Sequence, residues 1–463
     1  MIQGRRTSIH GEWSSSLIFV LAAAGSAVGL GNLWRFPYLV GENGGAAFIL
    51  IYLVCILLVG LPIMVAEVTL GRRGLASPIN SLRRVAYDEA RSTSWSLVGW
   101  LGVLAGFLIL SFYSVVGGWS LYYVMQALFG RFTDISADGS GALFEGLIAS
   151  PAAVLIWHTV FMALLFVIVA AGVRRGLQRA VKLLMPLLFA LLVGLALYGM
   201  TTPGFGEAMT FMLEPDFSAV QPGTFLAALG QAFFTLSLGM GAIMVYGAYL
   251  PRASSIPVTT GWIVGMDTIT ALVAGLAIFP IVFTVGLEPG EGAGLVFVTL
   301  PVVFGEIALG WLIGVAFFVL LSVAAITSGM SLLEPAVSWM AETWEGSRMR
   351  AAAIITLAIW LLGIACGLSL NAWAGIELLP GMNIMDSIEY VSSNIMLPLG
   401  GLLVAIFLAW RVRPETVADE LDSPHRHGLF VTWRFVLSYV APALVIVILL
   451  QATGLLGWIG GLV

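Results

Sequence analysis

Charge is what this chain has least of: Asp, Glu, Lys and Arg make up 10% of its 463 residues, against 60% hydrophobic. Soluble domains carry roughly a quarter charged residues, so a water-solvated globule is excluded. Cysteine is nearly missing as well. Cys55 and Cys366 both fall inside apolar stretches, which leaves buried thiols rather than a disulfide framework. No GxxxxGK[ST] run occurs, so the phosphate-cradling loop of ATP-driven pumps is absent. Long polar stretches are lacking too, which argues against the added domain of a receptor or a kinase. Apolar and polar residues do not alternate over roughly ten-residue strands, and this excludes a membrane barrel. There is no N-x-[ST] acceptor, and the first apolar segment lacks an A-x-A site with a mature domain behind it, as a cleaved leader would have. The net charge of −5 gives no nucleic-acid reading, because the basic residues are dispersed over short loops.

What the chain has instead is a succession of apolar runs about as long as a membrane-crossing helix, roughly 20 residues or more. We read eleven spans, at 14–38, 45–71, 97–129, 152–172, 177–201, 223–252, 257–286, 307–343, 350–371, 383–411 and 430–461. The apolar segment 292–304 is too short to cross and is expected to dip in from one face. The loops alternate in charge. One set holds Arg5, Arg6, Arg72, Arg73, Arg83, Arg84, Arg91, Arg174, Arg175, Arg179, Lys182, Arg252, Arg348, Arg350, Arg411, Arg413 and Arg426. The other holds Arg131 with Asp134, Asp138, Glu145, Glu207, Glu214, Asp216, Glu288, Glu291, Glu306 and Glu377. The positive-inside rule makes the first set cytoplasmic. The expectation is a short cytoplasmic segment at 1–13 and, with eleven spans, a C-terminus outside.

Two spans are poor continuous helices. In Ala24–Pro37, Gly25, Gly29 and Gly31 each cost roughly 1 kcal/mol relative to Ala in a helix interior. Asn32 and Arg35 are polar at membrane depth, and Pro37 lacks a backbone donor. Glycines alone would equally make a helix-packing face. However, a second interruption lies five spans later, where Thr235, Ser237, Gly239 and Gly241 cluster. Matching breaks point to an inverted five-plus-five repeat, 14–201 and 223–411, with a binding site at the bilayer midplane. The eleventh helix, 430–461, stands outside that repeat. Unwinding frees carbonyls that suit a dehydrated cation, and it exposes helix N-termini that suit a carboxylate.

At GSAVGLGNLWRFPYLVGENGGAAF (25–48), GQAFFTLSLGMGA (230–242) and AAITSG (324–329) the chain resembles the neurotransmitter:sodium symporter family, and in particular its bacterial leucine and hydrophobic amino-acid transporters. The resemblance runs over about 12–411 and more loosely through the last span. It implies an all-α, polytopic leucine-transporter fold with unwound helices 1 and 6. It also implies a Na⁺-coupled symporter rather than an enzyme, in a bacterial inner membrane. By resemblance, one sodium is held by Ala27, Asn32, Thr235 and Asp267, with the substrate carboxylate completing the shell. Asp267 stands where the family more often has Asn; its spacing to Gly275 and Ile278–Phe279 aligns it. Chloride-dependent relatives carry a Ser one turn further on, and here that place is Ala271. A fixed carboxylate at Asp267 would replace the anion, so chloride-independent transport is expected. The second sodium would take Gly25, Val28, Ala324, Thr327 and Ser328, although a Ser or Thr in a span often just bonds back to its own helix. Gly176 and Pro186 match a spacing that unwinds in relatives.

The resemblance lines the substrate pocket with Ser26, Gly29, Leu30, Gly31, Ile109, Tyr113, Phe234, Thr235, Ser237, Leu238, Met240, Ser328 and Leu332. The amides of Gly29–Gly31 and the Tyr113 hydroxyl would hold the carboxylate. No acid replaces Ser26, so a zwitterion is favoured over a decarboxylated amine. Met240 and Gly329 leave a soft apolar end, which suits neutral, hydrophobic L-amino acids. The outer gate would be Arg35 with Asp386 under a Phe234 lid. The inner gate would be Trp13, Tyr249 and Glu342, with His10 where the family has Arg. Glu67 would brace both breaks through their free amides, with Gln231 and Tyr52 behind the site. The competing readings are a non-transporting sensor on the same fold, a carrier of another small zwitterion, and a channel, which paired gate charges disfavour.

Overall fold

The computed structural model describes residues 9–286, 294–344, 347–421 and 427–453, almost all of them in helices. Arg5, Arg6, Glu288, Glu291, Arg426 and the stretch 454–461 of the expected last span lie outside the described residues. In chain order the helices are α1 Ser16–Ala27, α2 Gly31–Glu42, α3 Ala46–Gly74, α4 Pro78–Asp88, α5 Thr93–Leu128 and α6 Ala137–Ile148. There follow α7 Pro151–Ala170, α8 Val173–Gly199, α9 Phe205–Leu213, α10 Pro222–Thr235, α11 Ala242–Ala248 and α12 Ile256–Thr284. The remainder are α13 Leu295–Glu306, α14 Gly310–Thr343, α15 Arg348–Leu368, α16 Ile384–Arg411, α17 Pro414–Glu420 and α18 Gly428–Ala452. A two-stranded antiparallel ribbon, Glu377–Leu379 with Met382–Asn383, joins α15 to α16.

Among the described residues, nine helices are long and apolar enough to cross a membrane, or ten if α1 and α2 count as one span. That is fewer than the eleven expected. The difference lies at α10 and α11, which are separated by six residues and fall short of a spanning length on their own. The apolar stretch at 295–306 is a short helix and does not cross.

Both interruptions have local causes. Ser15 caps α1 by accepting from the Ile18 N–H, and α1 ends at Ala27, where Val28 turns extended. The chain re-enters helix at Gly31, bent by 50° from α1. Between α10 and α11, Ser237, Gly239 and Gly241 all have positive φ, at 54°, 75° and 76°. Gly239 could not be replaced, because a Cβ there would sit 2.2 Å from the Leu397 carbonyl oxygen of α16. Ser237 pays for a left-handed conformation with about 1–2 kcal/mol, and the site supplies the compensation described below.

Helices α5 and α14 are the most buried of the long ones and pack against each other along the middle, while α7, α8 and α18 keep most of their apolar surface outward. The breaks α1/α2 and α10/α11 lie against this central pair. At the Arg-rich end, α17 is fastened at both extremities. Arg413 Nε donates to Glu89 Oε2 at 2.8 Å and Thr416 donates to Glu89 Oε1 at 2.8 Å, while Arg72 holds Glu420. Burial works against the Glu89 charge, but the hydrogen bonds from Arg413 and Thr416 outweigh it and hold the carboxyl below its usual range.

Candidate functional site

The ends of the two broken helices line a narrow cavity of about 20 Å³. Its wall is Ser26, Ala27, Gly29, Leu30 and Gly31 from the first break and Phe234, Ser237 and Met240 from the second. Ile109 and Tyr113 of α5 and Ser328 and Leu332 of α14 complete it. Thr235 and Leu238 are buried but stand off this wall. Glycine is needed where helices approach closely. A Cβ at Gly29 would lie 2.3 Å from Ser328 Oγ, and one at Gly31 would lie 3.1 Å from the Phe234 ring. The Leu30 N–H points to the Tyr113 hydroxyl, 3.5 Å away.

Beside the cavity three elements converge on one carboxylate. Asn32 Nδ2 donates to Asp267 Oδ1 at 2.9 Å, Thr235 Oγ1 donates to the same oxygen at 2.8 Å, and Tyr52 donates to Oδ2 at 3.3 Å. Asn32 Oδ1 lies 3.1 Å from Thr235 Oγ1 and accepts from the Gly29 N–H at 3.3 Å. All these side chains are buried. Asp267 is thus surrounded by neutral donors only, and an uncompensated carboxylate at this depth is costly. A monovalent cation would neutralise it. Among the described residues no cluster of three or more His, Cys, Asp or Glu exists that would suit a divalent metal.

A second convergence joins α1 to α14. Ser328 Oγ donates to the Ser26 carbonyl at 3.0 Å and lies 3.3 Å from the Gly25 carbonyl. Thr327 Oγ1 bonds back to the Ala324 carbonyl at 3.0 Å, the ordinary behaviour of a helical Thr. A Cβ at Gly25 would lie 2.7 Å from Met185 Sδ and 3.5 Å from Thr327 Cβ, so α1, α8 and α14 meet there. Val28 is the first extended residue after α1. Gly176 and Pro186 both lie inside α8, which runs unbroken between them. The stretch expected to unwind is helical in this structure.

Glu67 Oε1 accepts from the Gly239 N–H at 2.7 Å, while its second oxygen has no partner. It braces the second break and not the first, contrary to the two-sided expectation. The first is tied by Gln231, whose amide donates to the Gly31 carbonyl at 2.7 Å.

On the acidic side a larger cavity, about 370 Å³, opens above Phe234. Leu30, Tyr113 and Phe234 line both cavities and form the layer between them. The Arg35 guanidinium sits 4.9 Å from the centre of the Phe234 ring. The expected pairing of Arg35 with Asp386 is not made. Asp386 is exposed and bonds Asn383 at the start of α16. Two carboxylates share the cavity with Arg35: Glu42 of α2 and Glu389, one turn beyond Asp386 on α16.

The opposite, Arg-rich end is tightly closed. The Trp13 N–H donates to the Tyr249 carbonyl at 2.9 Å, and its indole donates to the Tyr246 carbonyl at 3.2 Å. His10 Nε2 lies 2.9 Å from Glu342 Oε1, and Glu342 also accepts from Ser77 and Asn80. Beneath them Tyr249 donates to the fully buried Glu334 at 2.8 Å, and Arg348 pairs with the other Glu334 oxygen. Four residues here were not singled out from the sequence: Glu334, Arg348, Glu389 and Ser331. An ionisable residue within an apolar span is itself a signal, and Glu334 carried it.

Comparison with known proteins follows this geometry. The profile of the sodium:neurotransmitter symporter family matches residues 10–134 and 147–455. The uncharacterized sodium-dependent transporter YhdH of Bacillus subtilis is 39% identical over 96% of this chain and 98% of its own. The sodium-dependent dopamine transporter of Bos taurus is 23% identical over 93% of this chain and 67% of its own. Among solved structures, MhsT in complex with L-phenylalanine superposes with a TM-score of 0.88 at 44% identity, covering 97% of this chain and 100% of that one.

Proposed function

Because the chain belongs to the sodium:neurotransmitter symporter family, and so is a multi-pass, sodium-dependent transporter, we propose that it carries neutral, hydrophobic L-amino acids inward with two sodium ions. The observation that carries this reading is the cavity at the two helix breaks, flanked by the Asn32–Thr235–Asp267 cluster. The L-phenylalanine bound by MhsT, a protein of the same fold, supports the substrate class. In this reading the substrate carboxylate lies at Gly29–Gly31 and Tyr113 and completes the shell of a sodium held by Ala27, Asn32, Thr235 and Asp267. The second sodium sits among Gly25, Val28, Ala324, Thr327 and Ser328. Thr327 and Ser328 then exchange bonds to carbonyls for a shared ion. In this reading the N-terminus is cytoplasmic, which the Arg-rich loops support. Ions and substrate can favour the closed state only by their extra affinity for it.

Uptake of labelled phenylalanine into proteoliposomes, with and without an inward sodium gradient, tests the proposal. Gradient-driven accumulation is expected. Binding without flux would indicate a sensor, and flux indifferent to the gradient a channel.

Two further outcomes follow. Ala271 is a buried methyl one turn from Asp267, and the carboxylate supplies the fixed negative charge, so uptake should be equal in chloride and in gluconate. A strong chloride requirement would remove Asp267 from that role. Arg35 has buried donors without partners, and Glu389 of α16 lines the same cavity. Glu389→Gln should therefore slow uptake severalfold more than Asp386→Asn. The reverse order would restore Asp386 as the gate partner.

A further inference from the structure

Four serine hydroxyls meet behind the cavity. Ser26 Oγ donates to Ser331 Oγ at 2.7 Å and lies 3.1 Å from Ser237 Oγ. Ser237 and Ser328 both donate to the Ser26 carbonyl at 3.0 Å, and Ser331 donates to the Ser328 carbonyl at 2.7 Å. Ser26, Ser237 and Ser328 line the cavity, and Ser331 stands fully buried behind Ser26.

A hydroxyl has one proton to donate and two lone pairs to accept with. Three of these protons are held by backbone carbonyls. The Ser26 proton alone is bound to other hydroxyls, chiefly Ser331, and is thereby turned away from the cavity. What the cluster offers inward is lone pairs. The apolar side chains of Met240 and Leu332 line the same cavity as Ser26, Ser237 and Ser328.

We propose that Ser26, held by Ser331, reads a hydrogen-bond donor on the substrate side chain. Among neutral amino acids of matched shape the transporter then favours the one carrying an N–H or O–H. This rests on the amino-acid reading above. The ammonium group is common to every amino acid and cancels within a matched pair. The preference is modest, because the cluster is satisfied without a ligand and an apolar side chain leaves no donor bare. It therefore reflects the net worth of one neutral hydrogen bond, about threefold to tenfold in affinity, far from the discrimination of a site whose polar groups need the substrate.

Ser331 is a positioning residue with its own signature. In Ser331→Ala the Ser26 proton keeps only its longer contact with Ser237 Oγ on the cavity wall, at 3.1 Å, so a side-chain acceptor can compete for it.

The test is competition against labelled phenylalanine on the purified protein in sodium. The competitors are tryptophan against 1-naphthylalanine, tyrosine against phenylalanine, and 4-pyridylalanine as an acceptor-only ring. Wild type should favour the donor member of a pair by about threefold to tenfold. In Ser26→Ala that ratio should fall toward one. In Ser331→Ala, 4-pyridylalanine should gain on phenylalanine. Equal binding within both pairs in wild type, or ratios unmoved in both variants, overturns the inference and leaves the transport reading intact. If wild type binds no amino acid in sodium, the transport reading fails and takes this inference with it.

Discussion

Replacing Asn32 with Ala should abolish sodium-stimulated binding of the amino acid. Asn32 is fully buried and serves both sides of the cluster: its amide nitrogen donates to the Asp267 carboxylate and to the Asp267 backbone carbonyl, and its amide oxygen faces Thr235 and the Gly29 N–H. Alanine removes one oxygen ligand from the proposed ion. It also leaves Asp267 with Thr235 and Tyr52 as its remaining donors. Even indirect supports of a metal site are worth about tenfold to a hundredfold in affinity, so loss of a direct ligand should weaken sodium by at least about a hundredfold. Because the substrate carboxylate shares that shell, amino-acid affinity at fixed sodium should fall with it. Sodium titration of substrate binding reads both effects. Thr327→Ala probes the second site separately, since Thr327 makes no contact with the Asp267 cluster. A variant at Asn32 with wild-type sodium affinity would refute the first ion site.

Much of this arrangement was legible in the sequence, because interruption is conspicuous in an otherwise apolar chain. Glycines and polar residues at Gly25–Asn32 and Thr235–Gly241 mark the two breaks, and the structure ends α1 at Ala27 and α10 at Thr235. The length of the segment after the second break was not legible. α11 has only seven residues, and hydropathy does not register how soon it turns into the loop that follows. The outer carboxylate was not decidable from the sequence, for a geometric reason. Asp386 and Glu389 are three apart, so both lie on one stripe of α16, and only its packed rotation decides which faces Arg35. Ser331 was hidden by its ordinary appearance. It bonds back to its own helix as serines in spans do, and its contact with Ser26 spans most of the chain.

Replacing Glu334 with Ala should be the most destabilising single change at the Arg-rich end. Glu334 is fully buried and Arg348 is 18% exposed, so the pair is largely withdrawn from solvent. Removing one member of such a pair typically costs about 3–5 kcal/mol, because the other charge is left desolvated and unpaired. Arg348 would lose its carboxylate and keep its Nε bond to the Val169 carbonyl, and the Tyr249 hydroxyl would lose its acceptor. The Tyr249 carbonyl is also what holds the Trp13 N–H, so loss of Glu334 reaches the start of α1, the segment that must move for this end to open. A lowered melting midpoint is expected, together with readier labelling of a cysteine placed at Trp13. The double replacement Glu334→Met with Arg348→Met separates the two effects. An apolar pair of similar volume avoids the desolvation cost and should recover most of the stability, whereas the Tyr249 hydroxyl still lacks its acceptor and Trp13 stays accessible. Were the single variant to melt as wild type does, the Glu334–Arg348 pair would carry no stability. Were the double to regain full closure, the gate would depend on packing at this position and not on the hydrogen bond from Tyr249.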